Sequence, residues 1–319
     1  MAEDKAKRSK KPKTGYSIKN NCFKYITLSF IILFSISGFL LISYSTARYG
    51  PASTHDSVAY MYAAESLIKG DGLVYFGYDS PFVQWPPLYP VILSVINLLG
   101  YDLLTAAGHL NGLIFSLIIF FSGYWLQKST RSSIISICGS IAVLASIPLT
   151  YVSKFVWSEP LFILLLLLFM ICLDNYICGL SSRFLIGGAS FAALAFLTRY
   201  IGVTIVITGC ILLLIRKRKL INRLVETFIF GFISSFPIAL WMARNYLLLN
   251  TLTGGRPPAG NTFTENIGIT FKRLASWFAP GYSESAFYLM LALAILISVI
   301  AVMRNWLIRE DSGIQGDIH

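Results

Sequence analysis

The strongest constraint on this chain is a set of apolar stretches long enough to cross a bilayer. A hydrocarbon core of roughly 30 Å takes about 20 predominantly apolar residues in a helix. Residues 25–44 supply one such stretch without a single formal charge. In lipid, every backbone polar group must be satisfied internally, so repeated stretches of this length dictate helices. Only 13% of the residues are charged and mean hydropathy is +0.67, against about 25% charged residues in a soluble domain. The chain is read as an all-α polytopic membrane protein.

The apolar pattern predicts eight spans: 25–44, 103–126, 132–150, 159–177, two short spans within 184–215, then 224–243 and 285–303. The long run 184–215 is split around Thr198, Arg199 and Tyr200, because a charge in the middle of one long helix is costly whereas a tip position avoids that cost. With the N-terminus placed in the cytoplasm, the inner segments hold 18 Lys and Arg and the outer segments eight. That bias puts both termini inside and the segment 47–102 outside. The expected organisation is a basic disordered tail (1–24), one membrane domain (25–309) with a large first extracytoplasmic loop (47–102), and a short tail (310–319).

A formal charge of +11 invites a nucleic-acid reading. The positive residues flank membrane segments instead of forming a stripe, which argues against it. The basic run Lys5 to Lys13 reads first as a topology anchor, and second as a contact for anionic lipid. Five cysteines (Cys22, Cys138, Cys172, Cys178, Cys210) form no C-x-x-C, so neither a disulfide framework nor a zinc site is expected. The first apolar stretch is too long for a cleaved signal peptide. No metal-ligand cluster stands out, and no cofactor is expected.

The first loop carries the most unusual residues. Asp56 opens a short amphipathic segment that Gly70 should close, with Asp56-Ser57 as the expected N-cap. An Asp there is either an ordinary cap or a carboxylate free to act as a general base, and one carboxylate can do both. Residues 88–99 are apolar but too short to span, and read as a helix lying on the membrane surface. Tyr60, Tyr75, Tyr78, Trp85 and Tyr89 suit sugar stacking, and equally an interfacial aromatic belt. His55 beside Asp56 could tune the acid or hold a metal, although a lone loop histidine usually does neither.

Four further charges are predicted at the same end of the bundle. Glu159 starts the fourth span next to Pro160, which an ordinary helix start also explains. Arg199 interrupts an apolar run and must pair with something: an acid such as Glu159, or a lipid phosphate. Arg244 ends the seventh span and either snorkels or forks onto a phosphate. Lys154 lies between the third and fourth spans. At other depths, His109 next to Asn111 is expected to make an interhelical hydrogen bond, and Asp174 and Glu226 read as interfacial residues. The stretch Gly254-Gly255-Arg256-Pro257-Pro258 reads as a flexible outer loop unlike a phosphate-binding loop.

The order of these features resembles a known family. Asp56, Tyr60, Ala64, Leu67, Gly70 and Gly72, then Pro86 to Pro90, then the Ser158-Glu159-Pro160 start, the Leu197 to Gly202 tip and the Arg244-Asn245 pair are similar to the GT-C glycosyltransferases. The nearest likeness is to the protein O-mannosyltransferase-like and aminoarabinose-transferase-like (glycosyltransferase family 39-like) branch of bacterial and archaeal membranes. The resemblance covers about residues 30–250. It implies a sugar donor on a polyprenyl phosphate, held near Arg199, Arg244 and Lys154. Asp56 would act as base toward an acceptor hydroxyl on a protein, lipid or glycan, and Glu159 would orient the site. Tyr60, Trp85 and Tyr89 would contact sugar or acceptor. Relatives usually carry further spans or an outer C-terminal domain, so on this pattern the chain is a minimal member, a truncated one or a partner-dependent half. Some relatives have an acid after Asp56; here it is Ser57. Two other readings use the same residues without chemistry: a transporter or flippase of lipid-linked sugars, and a noncatalytic membrane subunit.

Overall fold

The structure, a computed structural model, describes residues 14–77, 80–179, 181–255 and 260–278. The predicted span 285–303, the tail before residue 14, Tyr78 and Arg256 to Pro258 lie outside the described residues. The chain divides into two compact units at the boundary between Gly255 and Arg256, and each is taken by itself.

The first unit is a helical bundle. Helix α1 (Thr14–Thr46) is followed by α2 (His55–Lys69), a two-stranded antiparallel hairpin of β1 (Val74–Tyr75) and β2 (Ser80–Pro81), and α3 (Leu88–Leu98). Then come α4 (Leu103–Thr130), α5 (Ser133–Leu144), α6 (Ile147–Ser153), α7 (Glu159–Ile177), α8 (Arg183–Thr198), a 3₁₀ turn (Tyr200–Gly202), α9 (Val203–Leu214) and α10 (Leu220–Leu249). Among the described residues, four helices are long and apolar enough to cross a membrane: Tyr25–Thr46 of α1, then α4, α7 and α10. The chain is thus an all-α membrane protein with several membrane-length helices.

One predicted span bends, and the run split at Arg199 forms two short helices. The expected third span is two helices, α5 and α6, bent by 51°. The chain restarts at Ser146, whose hydroxyl accepts from the Leu149 amide, and Pro148 occupies the first turn of α6. Proline fits a first turn because the amide it lacks has no helical partner there. Helices α8 and α9 are each under 18 residues, short for a crossing.

Small residues set how closely the bundle packs. Gly188, Ala192 and Ala195 are buried on α8, and a Cβ at Gly188 would lie 3.5 Å from Cys172 Cβ on α7. Close backbone approach of this kind drives association where lipid offers no hydrophobic gain. Hydroxyls add to it: Ser136 on α5 donates to the Gly123 carbonyl of α4 at 2.7 Å.

The predicted tip after Thr198 forms as expected, and Gly202 makes it possible. A Cβ at residue 202 would stand 2.5 Å from Phe196 Cα, so only glycine lets the chain fold back this tightly. Helix α2 ends as expected on Gly70 at φ 91°, the left-handed cap that glycine adopts without strain. Its start differs from expectation. Thr54, not Asp56, is the N-cap, and Ser57 at the third position accepts from the Thr54 amide at 2.9 Å. That reciprocal pair satisfies the end of the helix and leaves Asp56 uncommitted.

The second unit contributes α11 (Phe263–Phe278), which apolar runs alone do not reveal. Its start carries a signal that the sequence does hold. The Thr262 amide donates to Glu265 Oε2 at 2.7 Å, and the Glu265 amide donates to Thr262 Oγ1 at 3.4 Å, in the capping-box spacing.

Candidate functional site

The segment between α6 and α7 brings the site together. Ala52 and Phe155 pair as an isolated parallel bridge, with the Ala52 amide donating to the Lys154 carbonyl at 2.8 Å and the Val156 amide to the Ala52 carbonyl at 3.0 Å. Asn111 of α4 donates to the Phe155 carbonyl at 2.5 Å. Trp157 then donates its indole N–H to Thr54 Oγ1 at 2.8 Å. These bonds fix the cap of α2, and hence Asp56, against the start of α7.

Ser158 is the hub. It is fully buried and does not cap α7 with its side chain. Its hydroxyl instead meets the Tyr60 hydroxyl at 3.1 Å and accepts from Arg199 Nη1 at 3.2 Å. The same guanidinium nitrogen lies 2.6 Å from Glu159 Oε1, and both side chains are 32% exposed. Arg199 is extended at the break between α8 and the 3₁₀ turn, which swings it off the helix axis toward α7. The alternative between an acid and a lipid phosphate is thus answered in part: Glu159 is an acid partner of Arg199.

Asp56 sits in the first turn of α2 with its side chain 45% exposed. His55 is its charged neighbour, at 3.9 Å between Nδ1 and Oδ1. His55 Nε2 meets the Tyr75 hydroxyl at 3.0 Å, and its ring packs edge-on to Phe76 at 5.2 Å. Tyr60 registers the whole constellation. Burial raises its phenol above the ordinary value, the Ser158 bond and Arg199 pull it down, and the charges of Glu159 and Asp56 push it up. The net rise keeps Tyr60 protonated and able to donate.

The three aromatic candidates differ in their exposure. Tyr60 and Tyr89 are 1% and 0% exposed and pack edge-to-face at 5.1 Å, so they form the wall beneath the site rather than an open stacking face. Trp85 is half-buried. It stacks on Phe82 at 5.8 Å and nearly parallel to Tyr75 at 6.1 Å.

Arg244, near the end of α10, is held by neutral groups. It donates to the Phe82 carbonyl at 3.2 Å and to Asn245 Oδ1 at 3.0 Å, with its guanidinium 4.5 Å from the Trp241 ring centroid. Among the described residues no carboxylate lies within ion-pair distance of it, nor of Lys154, which is half-buried. Tyr200 anchors this side, donating to the Val83 carbonyl at 2.8 Å and accepting from Trp241 Nε1 at 3.1 Å. Sequence reasoning missed Ser158 and Tyr200 as connectors. Ser158 looks like a helix cap and Tyr200 like belt, and only folded partners distinguish them.

One assignment elsewhere is corrected, and two residues gain partners. His109 is exposed on α4, and its neighbour Asn111 makes the bond across to another segment. Asp174 accepts from the Trp125 indole at 3.1 Å, which ties α7 to α4. Glu226 is buried between Arg218 at 2.7 Å and Arg216 at 3.8 Å. No group of three or more metal-ligating side chains occurs among the described residues.

An apolar groove of about 430 Å³ lies between α4, α7 and α9. It reaches from Phe162 and Ile201, close in sequence to Glu159 and Arg199, down to Asp174 and Ile177. Comparisons with protein-family models, with curated proteins and with solved structures give no match.

Proposed function

We propose that the chain is a membrane glycosyltransferase that moves a sugar from a polyprenyl-phosphate donor to an acceptor hydroxyl. The observation that carries this reading is the convergence of an uncommitted carboxylate, Asp56, with the Ser158-Glu159-Arg199 cluster, Tyr60 linking the two. The resemblance to GT-C glycosyltransferases supplies the substrate class. The charge bias of the flanking segments supports an extracytoplasmic site with both termini cytoplasmic, and the resemblance points to a prokaryotic plasma membrane. The groove along α7 is of a size and polarity suited to the lipid tail.

In this reading the acceptor oxygen attacks the anomeric carbon and the bond from that carbon to the phosphate oxygen breaks. The hydroxyl proton passes to Asp56, and polyprenyl phosphate leaves with the electron pair. Arg244 and Lys154, which lack acidic partners among the described residues, would offset the charge on the leaving phosphate. Arg199 already faces Glu159, so its part is to share that charge and to hold the Ser158-Tyr60 connection. Trp85, being half-exposed, is the better sugar contact of the three aromatics.

One observation favours a noncatalytic reading. The Arg199-Glu159 pair is complete without a ligand, as a structural ion pair is. Asp56→Asn separates the two. With undecaprenyl-phosphate-linked hexose as probe, transfer or donor hydrolysis should fall by about 10²–10⁴ while membrane insertion is unchanged, the usual contribution of a general base. Full activity in the variant sinks the assignment.

A further inference from the structure

A second site lies away from the proposed chemistry, between the end of α1 and the start of α4. A groove of about 1120 Å³ runs there. One wall is Leu40 and Leu41 of α1, which continue into Arg48, and the facing wall holds Gly108 and His109 of α4. Gly108 lies against Pro51, where a Cβ would make ordinary contact with Pro51 Cδ at 3.5 Å.

Two exposed side chains of this groove, Arg48 and His109, carry unspent hydrogen-bonding capacity. Arg48 contacts the Tyr49 ring, 5.1 Å from its centroid, and no carboxylate pairs with it among the described residues. His109 stands six residues into a membrane-length helix, ~9 Å from its start, and is exposed on that helix. An ionisable residue in a span without an acidic partner marks a ligand or an interface. Two cationic or donor side chains, set above an apolar wall, match the headgroup and chain of one lipid molecule.

We propose that this groove binds an anionic phospholipid. Arg48 ion-pairs with the phosphate, His109 donates to one of its oxygens, and an acyl chain lies along Leu40 and Leu41. A bulk phospholipid is the fitting occupant because α1 is among the least covered of the membrane-length helices, with 28% of its apolar window buried, so the groove opens to surrounding lipid. The bound lipid would also brace the Gly50-Pro51 turn, next to the Ala52 bridge that positions α2.

The test uses the full chain in detergent with a diazirine-bearing phosphatidylglycerol, and the corresponding phosphatidylcholine and polyprenyl phosphate probes. The expected result is cross-linking by phosphatidylglycerol, mapped to peptides spanning 37–51 and 104–109, at least about tenfold stronger than with phosphatidylcholine. Arg48→Ala and His109→Ala should each lower it about tenfold, the scale of one charge-assisted bond. Arg48→Lys should keep most of it, and Lys69→Ala all of it. An unchanged melting temperature in detergent without added lipid shows that the variants are folded. Equal labelling by the zwitterionic lipid, full labelling of folded Arg48→Ala, or labelling of the groove by polyprenyl phosphate alone overturns the proposal.

Discussion

The two ends of the bundle treat their carboxylates differently. At the end where α7 finishes and α10 begins, the two carboxylates Asp174 and Glu226 are both bonded within the bundle. Glu226 is clamped by Arg218 and Arg216, and Arg216 also donates to the Tyr176 and Ile177 carbonyls, satisfying the otherwise open end of α7. Lys128 bonds Asn175, and Trp125 bonds Asp174. At the end where α7 begins and α10 finishes, Glu159 is likewise matched by Arg199, whereas Asp56 and Arg244 keep charge that no opposite side chain among the described residues neutralises, beyond the exposed His55 neighbour of Asp56. Charged groups held by neutral partners and left facing an opening are available to a ligand, whereas matched pairs spend their charge on holding helices together. The first end should therefore govern stability and the second activity.

The largest effect that sharpens this contrast is the loss of rate expected for Asp56→Asn, with no shift in melting temperature. A fall in stability matching the fall in rate would move Asp56 to the structural side. Next in size is Glu226→Ala. It strands Arg216, whose side chain is only 12% exposed, while the more open Arg218 can turn to water. Breaking a buried pair is expected to cost about 3 kcal/mol, read by thermal unfolding in detergent, with activity per folded molecule unchanged. Ser158→Ala comes third. It removes the hydroxyl that meets Tyr60 and Arg199 and should cost about 1–3 kcal/mol. It should also lower activity, because the connection from Arg199 to the α2 side is cut. If it lowers stability alone, the connection is only packing.

The smallest expected effect concerns Asp102, outside the spans. It caps α4 by accepting from the Thr105 amide at 2.9 Å and the Leu104 amide at 3.4 Å, and these bonds hold its carboxyl below the ordinary carboxylate range. A lowered carboxyl in the folded state stabilises fully above the ordinary range and loses that contribution as pH falls through the folded value. Asp102→Ala should cost about 1 kcal/mol near neutral pH and should flatten the acid limb of the stability curve. An identical acid limb in the variant would place that titration elsewhere.

Much of this is legible in the chain because lipid makes local rules strong. The starts of α4 and α7 follow from Asp102 and from Glu159-Pro160, and the split at Arg199 follows from the cost of a charge within a span. Gly202 and Gly70 mark their turns by residue type alone. The cap of α2 is not legible in the same way, because Thr, Asp and Ser are all acceptable caps and only the Thr54–Ser57 exchange decides among them. Nor are the fates of Tyr60, Tyr89 and Ser158, since belt, core and site use the same residue types.

Read along the chain alone, hydropathy and backbone bonding establish an all-α membrane protein, roughly where its apolar helices begin and end, and which few charges stand out against them. Those forces act within a segment, so the local residues suffice. Packing settles the rest: Arg199 turns to Glu159, Ser158 joins Tyr60 to them, Arg244 rests on carbonyl and ring, and Glu226 is buried. A charge's partner depends on the distance between segments far apart in the chain, and that distance is set when the helices pack.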